Sequence, residues 1–147
     1  MLKEQAKVFL DTSIFMAAVR SPSGGSALVL EVCRGGKFRA ISTRKVLLEA
    51  QRNIKRKFSE EELIKFYREI VTLKLETTEP VTEEAIAEYS QLIEQKDAHV
   101  LAAAIKSGAA FLITLDQKHF MTYVIKQAKL PISILTPGEF LRGICKI

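Results

Sequence analysis

Short apolar runs alternate along this chain with longer stretches in which apolar residues recur at three- and four-residue spacing. The first pattern predicts strands over 8–11, 38–42, 73–77, 111–115 and 132–135. The second predicts helices over 13–19, 26–34, 44–54, 60–71, 83–94, 98–106 and 118–129, and a last one starting at Pro137. Turn chemistry separates elements at Pro22-Ser23-Gly24-Gly25 and at Gly35-Gly36. Ser59 with Glu62 makes a capping box, Thr82 and Thr136 can each cap the helix they precede, and Gly108 follows the last periodic residue of its helix.

This alternation implies an α/β fold, a three-layer α/β/α arrangement in which helices cover both faces of a central, mostly parallel five-stranded sheet. If strands one to three build outward one way and strands four and five the other, the strand order is 3-2-1-4-5. Ligands of such sheets bind beyond the carboxyl ends of the strands, where the order reverses. No low-complexity tract, Gly/Ser linker or internal repeat interrupts the pattern, so one domain over 1–147 is expected. A chain of about 150 residues hides roughly 68–70% of the surface its unfolded form exposes, which is enough for a real core.

Charge adds a second theme. The net charge of +5 is modest, but nine basic residues and one acid, Glu49, lie between Arg34 and Lys57, and the stretch from Ser59 to Glu94 is mainly acidic. A basic stripe suits a phosphate backbone, although a solvated helix face gives the same pattern. The first seven residues mix charges of both signs and contain no apolar core, and no later apolar run approaches the ~20 residues that span a bilayer. A soluble, cytoplasmic protein without membrane association is expected. Cys33 and Cys145 lack metal-site spacing and read as small apolar side chains.

Four carboxylates stand where a folded domain rarely buries a charge. Asp11 ends the run Val8-Phe9-Leu10, and Asp116 ends Phe111-Leu112-Ile113-Thr114-Leu115. Glu49 sits in the apolar face of its helix between Val46 and Ala50, and Asp97 opens the apolar helix Asp97-Ala98-His99. In the order 3-2-1-4-5, strands one and four are neighbours, so Asp11 and Asp116 meet in the crevice. Glu49 then points inward from one side, and Asp97 heads a helix leading to strand four. Converging carboxylates repel and desolvate one another, and a cation relieves both costs. Oxygen-only donors suit Mg²⁺ or Mn²⁺, which can activate a water for in-line attack and offset charge on a phosphate. Each acid also has a plainer role. Asp11 and Asp97 are placed to cap helices, Asp116 to make a turn, and Glu49 to face solvent.

Leu10-Asp11-Thr12-Ser13, Val46-Leu47-Leu48-Glu49, the run Asp97-Ala98-His99-Val100-Leu101-Ala102-Ala103-Ala104, and Ile113-Thr114-Leu115-Asp116 with Phe120 resemble the four motifs of PIN domains. Each motif is short, but the four stand in order and span nearly the whole chain. The resemblance implies a Mg²⁺- or Mn²⁺-dependent ribonuclease, often a homodimer, with Asp11, Glu49, Asp97 and Asp116 as catalytic metal ligands. Ser13 and Thr114 would be hydroxyls that orient a carboxylate or a metal-bound water, and a Ser at a helix start also serves as a cap. Many members carry a further acid shortly after the fourth motif, and this chain has Gln117-Lys118-His119 there. That departure argues against a second tightly held metal and offers Lys118 or His119 to phosphate, or an ordinary exposed helix start.

Other readings are weaker. His99 lies two residues from Asp97, on a different helix face, and is expected in packing or solvent rather than on a shared metal. The run Ser21-Pro22-Ser23-Gly24-Gly25-Ser26 lacks the Lys-Ser/Thr ending of a phosphate-binding loop. A haloacid-type phosphatase would place a second aspartate at the position Ser13 occupies. The leading expectation is an endoribonuclease whose acids hold the ion while Arg44, Lys45, Arg52 and Lys118 contact RNA. The alternative is a catalytically silent nucleic-acid-binding or interaction module. Within the first, the role is either that of the toxin in a VapC-like toxin–antitoxin pair, held by an antitoxin protein, or that of an RNA-processing enzyme.

Overall fold

The computed structural model describes residues 5–147, so the start of the amino-terminal stretch considered above lies outside the described residues. Along the chain run β1 (Ala6–Leu10), α1 (Thr12–Arg20), α2 (Gly25–Arg34), β2 (Phe38–Ser42), α3 (Arg44–Lys57), α4 (Glu60–Leu73) and β3 (Glu76–Thr77). There follow α5 (Glu83–Tyr89), α6 (Gln95–Lys106), β4 (Phe111–Ile113), α7 (Gln117–Phe120), α8 (Tyr123–Gln127), β5 (Ser133–Leu135) and the single turn α9 (Pro137–Glu139), which widens into a π-helical turn over Phe140–Ile144.

The five strands form one sheet in the order β3-β2-β1-β4-β5, and every pairing is parallel. Val8 in β1 lies opposite Ala40 of β2 and Phe111 of β4, so β1 is central. Strands two and three step away from β1 on one side and strands four and five on the other. Right-handed crossovers therefore put α1–α4 over one face and α5–α8 over the other. The helix contacts agree: α1 packs on α2, α3 and α4, and α5 packs on α6. The topological switch point falls between β1 and β4.

Burial explains why these residues hold this frame. Val8, Phe9 and Leu10 are fully shielded, as β1 is covered on both faces. Phe15 of α1 meets Phe66 of α4 edge to face, with ring centroids 6.0 Å apart, and each fully buried large side chain contributes about 1.5–3 kcal/mol. Helix α6 is buried almost all round, from Ala98 through Ala104, as a helix between a sheet and another helix must be. Its first turn is thereby carried on a rigid support at the carboxyl edge of the sheet.

Several elements differ from the pattern-based expectation, each for a local reason. The strand expected over 73–77 shrinks to Glu76–Thr77 because Leu73 completes the buried face of α4 and Lys74, at φ 53°, ends that helix in the left-handed conformation. The helix expected over 83–94 stops at Tyr89, where the Ser90 hydroxyl donates to the Ala87 carbonyl at 2.8 Å. The helix expected over 118–129 is two pieces, because Thr122 starts afresh by accepting from the Ile125 amide at 3.2 Å. Ser59 and Glu62 form the expected capping box. No helix among the described residues is long and apolar enough to cross a membrane.

Candidate active site

Asp11 directly follows β1 and is only 8% exposed. It occupies the N-cap position of α1 without making a capping bond. Its Oδ2 instead accepts from the Thr114 hydroxyl at 2.7 Å and from the Ser13 hydroxyl at 3.3 Å. Both hydroxyls are anchored in turn. Thr114 Oγ1 accepts from the Asp116 amide at 3.0 Å, and Ser13 Oγ accepts from the Leu115 amide at 3.1 Å. This network joins the end of β1 to the loop after β4 and fixes the rotamer of the Asp11 carboxylate.

Asp116 caps the short helix α7 by accepting from the His119 amide at 3.1 Å. Its two oxygens also lie 3.0 and 2.8 Å from His119 Nδ1. With Nδ1 so engaged, His119 Nε2 is left toward Glu94, 3.9 Å from Oε1. Asp97 stands in the first turn of α6, and one ligand atom from each of Glu94, Asp97 and His119 lies within 4.8 Å of the others. The Asp97 Oδ2 atom is shielded from solvent and has no hydrogen-bond partner, a state that costs about 1–3 kcal/mol for a polar atom and more for a charged one.

Electrostatics ties these acids together. Burial pushes the Asp11 carboxyl above its ordinary range; hydrogen bonds from Thr114 and Ser13 oppose this, and the Asp97 charge adds to it. Burial also raises Asp97, with His119 and Lys96 pulling down and Asp116 and Glu94 pushing up. At the switch point Asp97 thus repels Asp11 and is itself repelled by Asp116 and Glu94. A divalent cation fits the Glu94–Asp97–His119 group, which includes neither Asp11 nor Asp116, on two grounds: an orphaned carboxylate oxygen, and hard oxygen donors with one imidazole nitrogen. Asp116 on Nδ1, with Nε2 turned toward Glu94, matches the carboxylate–histidine arrangement that orients imidazole ligands.

Glu49 departs from the expectation that it lies in the apolar face of its helix and points inward. It is exposed and makes no hydrogen bond or ion pair with the described residues. Val46, Ala50 and Ile54 form the buried stripe of α3, and at 3.6 residues per turn Glu49 sits roughly 100° round from Ala50, on the shoulder of that stripe. Asp97 also shifts. It does not open α6, since the helix begins at Gln95 after Glu94, which rules out a capping role for Asp97. Glu94 was not anticipated at the site, and His119 was anticipated only as a phosphate contact, not as a candidate metal donor. Their signal was available, for Glu94 lies three before Asp97 and His119 three after Asp116, spacings that share a helix face.

His99 is buried, 5% exposed, and stands apart from the Glu94–Asp97–His119 group. Burial, and secondarily the Lys45 charge, pulls its pKa down to about 4. The basic stripe is partly consumed. Arg34 pairs with Glu69, and Arg39 pairs with Glu76, Nε to Oε2 at 2.9 Å. Arg44, Lys45 and Arg52 on α3 and Lys118 on α7 are exposed and form no ion pair with the described residues. Both cysteines are free thiols, and burial pushes Cys33 up to about 12, which leaves it inert.

A family model described as PIN domain matches residues 7–118. The chain belongs to the PIN domain family. Seven chains of solved structures match it. One is Mycobacterium tuberculosis VapC20, titled a sarcin–ricin loop cleaving toxin, at a TM-score of 0.58 and 12% identity over 84% of this chain and 95% of that one. At that identity the likeness concerns the PIN fold. No curated protein matches the sequence.

Proposed function

We propose that this PIN domain is a metal-dependent endoribonuclease that hydrolyses RNA phosphodiester bonds. The observation that supports the reading is the orphaned oxygen of Asp97, grouped with Glu94 and His119 and within electrostatic reach of Asp116 and Asp11. A protein that turned nothing over would have no physical need for such clustered repulsion. Asp11, Asp97 and Asp116 would hold Mg²⁺ or Mn²⁺, with Glu94 and His119 completing the donors and Glu49 on the rim. Such an ion, when bound, supplies Lewis acidity and an activated water.

The chain's own residues have distinct tasks. Thr114 and Ser13 hold the Asp11 carboxylate at a fixed angle through their hydroxyls. Asp116 holds the His119 ring so that Nε2 stays available. The exposed cations Arg44, Lys45, Arg52 and Lys118 would neutralise backbone phosphates of the strand being cut. Hydrolysis with departure of the 3′ oxygen gives 5′-phosphate and 3′-hydroxyl ends. RNA as the substrate is supported by the family and by the described activity of the VapC20 toxin of like fold.

The test is cleavage of single-stranded RNA by purified protein with Mn²⁺ or Mg²⁺, followed by end-group analysis. Wild type should cut, Asp116→Asn should not, and chelation should stop the reaction. Equal cleavage by wild type and Asp116→Asn would show that the activity is a contaminant. The finer role proposed is that of a toxin paired with an antitoxin protein. Growth arrest on expression, relieved by Asp116→Asn, is its expected signature, and unimpaired growth with an active enzyme points instead to RNA processing.

A further inference from the structure

The carboxyl edge of the sheet carries a second concavity, beside the acids and built from other residues. It lies where β2 and β3 end, at Thr43 and Thr78, and it encloses about 470 Å³, within the roughly 300–1,000 Å³ typical of ligand pockets. Leu48 of α3, Ile86 of α5 and Pro80 and Val81 before α5 give it an apolar wall. Arg44, Lys45 and Arg52 of α3 stand on its rim, and no carboxylate lines it. Those three cations form no ion pair with the described residues.

We propose that this pocket holds an unpaired nucleotide of the RNA strand next to the bond that is cut, a reading that rests on the ribonuclease function above. Two observations select this occupant. The first is charge complementarity: three unpaired cations and no acid favour a polyanion, while the apolar wall offers a face for a base. The second is continuity with the acid crevice. Asp11 and Thr43 follow neighbouring strands, and the Ser42 hydroxyl donates to the Leu10 carbonyl at 2.9 Å. Helix α6 presents Asp97 to the crevice and His99 to the pocket. A strand crossing the edge of the sheet passes from one to the other. The buried His99 side chain closes the inner end of the pocket.

A base packed on Leu48 and Ile86 must be out of a helix, because a paired base keeps its faces stacked on neighbours. The pocket therefore selects single-stranded or looped RNA over duplex. Arg52 and Arg44 grip the flanking phosphates, and the wall reads the presence of a base without requiring its identity.

The test measures binding separately from cleavage. Fluorescein-labelled oligouridylate, the same strand with one abasic ribose, and a duplex of equal length are titrated by anisotropy into Asp116→Asn protein, with and without Leu48→Asp or Arg52→Glu. Both added positions are solvent-exposed, and circular dichroism verifies the fold. Leu48→Asp should weaken the single strand at least about fivefold, while an abasic strand in the pocket register should be insensitive to it. Arg52→Glu should weaken both strands and flatten the salt dependence. Equal binding of duplex and single strand, unaffected by Leu48→Asp, overturns the proposal. So does binding of an acidic oligoglutamate peptide that these variants abolish while RNA binding stays intact. If wild type binds as described but never cleaves, the nuclease reading falls and the pocket stands. If it cleaves and the pocket variants leave KM unchanged, the pocket falls and the nuclease stands.

Discussion

One edge of one sheet ends in two opposite environments. Beyond β1 and β4, carboxylates crowd together, and burial and mutual repulsion push Asp11 and Asp97 toward their protonated forms. Beyond β2 and β3, cations ring an apolar wall and no carboxylate lines the pocket. The physical difference lies in solvation. Arg44, Lys45 and Arg52 stay in water, so their charges cost the fold little. Asp11 gives up water for two hydroxyls, and one oxygen of Asp97 gives up water for nothing. The acid end thus holds an unfavourable arrangement that a cation relieves, and the basic end merely attracts. The proposed function assigns chemistry to the first and affinity to the second.

That division can be broken by comparing kcat with KM. Asp97→Asn should lower kcat by about 10²–10³-fold, the usual cost of removing a preorganised electrostatic group from an active site, with RNA affinity nearly unchanged. Arg52→Glu should do the reverse, raising KM more than it lowers kcat. If Asp97→Asn loosens RNA as strongly as it slows cleavage, the two ends are not separable. His119→Gln sharpens the acid end. With the His119 nitrogen gone from the donors, Mn²⁺ affinity read by calorimetry should fall by at least the roughly 10–100-fold that losing an outer-shell partner costs. Glu49→Gln ranks lower. An exposed carboxylate on the shoulder of α3 interacts weakly, so a loss of activity below about tenfold is expected. A loss equal to that of Asp97→Asn would mean that ion binding draws Glu49 inward.

The same contrast explains what could be read from sequence. The alternation of short apolar runs with helical periods is dictated by burial, and it carried the sheet order, in which β1 and β4 are neighbours; the strand expected to end at Asp116 stops at Ile113, and Asp116 caps α7 instead. Glu49 was misplaced because a single helix turn separates the inner stripe from its shoulder, and a sequence fixes helix phase only through its apolar neighbours. Glu94 escaped notice because the helix expected over 83–94 hid the turn that delivers it to Asp97. His119 escaped as a candidate metal donor because Lys118 and His119 read as a phosphate contact or the exposed start of a long helix, whereas Thr122 breaks that helix and leaves a short turn folded against Asp116. The pocket beside the acids was not legible at all. It is assembled from α3, α5, α6 and the segment after β3, and no local pattern announces a space between distant segments.

The two ends should also respond to pH with opposite sign. Asp97 holds its proton to higher pH when folded than the ordinary 3.8, so stability without metal falls as pH rises through 3.8 toward the folded value, and the deficit persists at neutrality. Asp97→Asn should therefore raise the neutral-pH Tm of metal-free protein, by about 2–4 °C for each kcal/mol relieved. The gain should vanish on acidification below 3.8. Mn²⁺ should raise the Tm of wild type far more than that of the variant, by mass action on the folded state.

His99 predicts the reverse and the smallest effect. Its folded pKa of about 4 lies below the ordinary 6.5, so between those values the unfolded chain takes up a proton that the folded chain refuses. Stability is intact above 6.5 and declines as pH falls toward about 4, where the loss is complete. Thermal melts of wild type and His99→Gln across that window should converge as the medium becomes acidic, after starting with wild type ahead on packing alone. Parallel curves would mean that the imidazole is solvated, and the floor of the pocket would then be open to water rather than dry beneath a base.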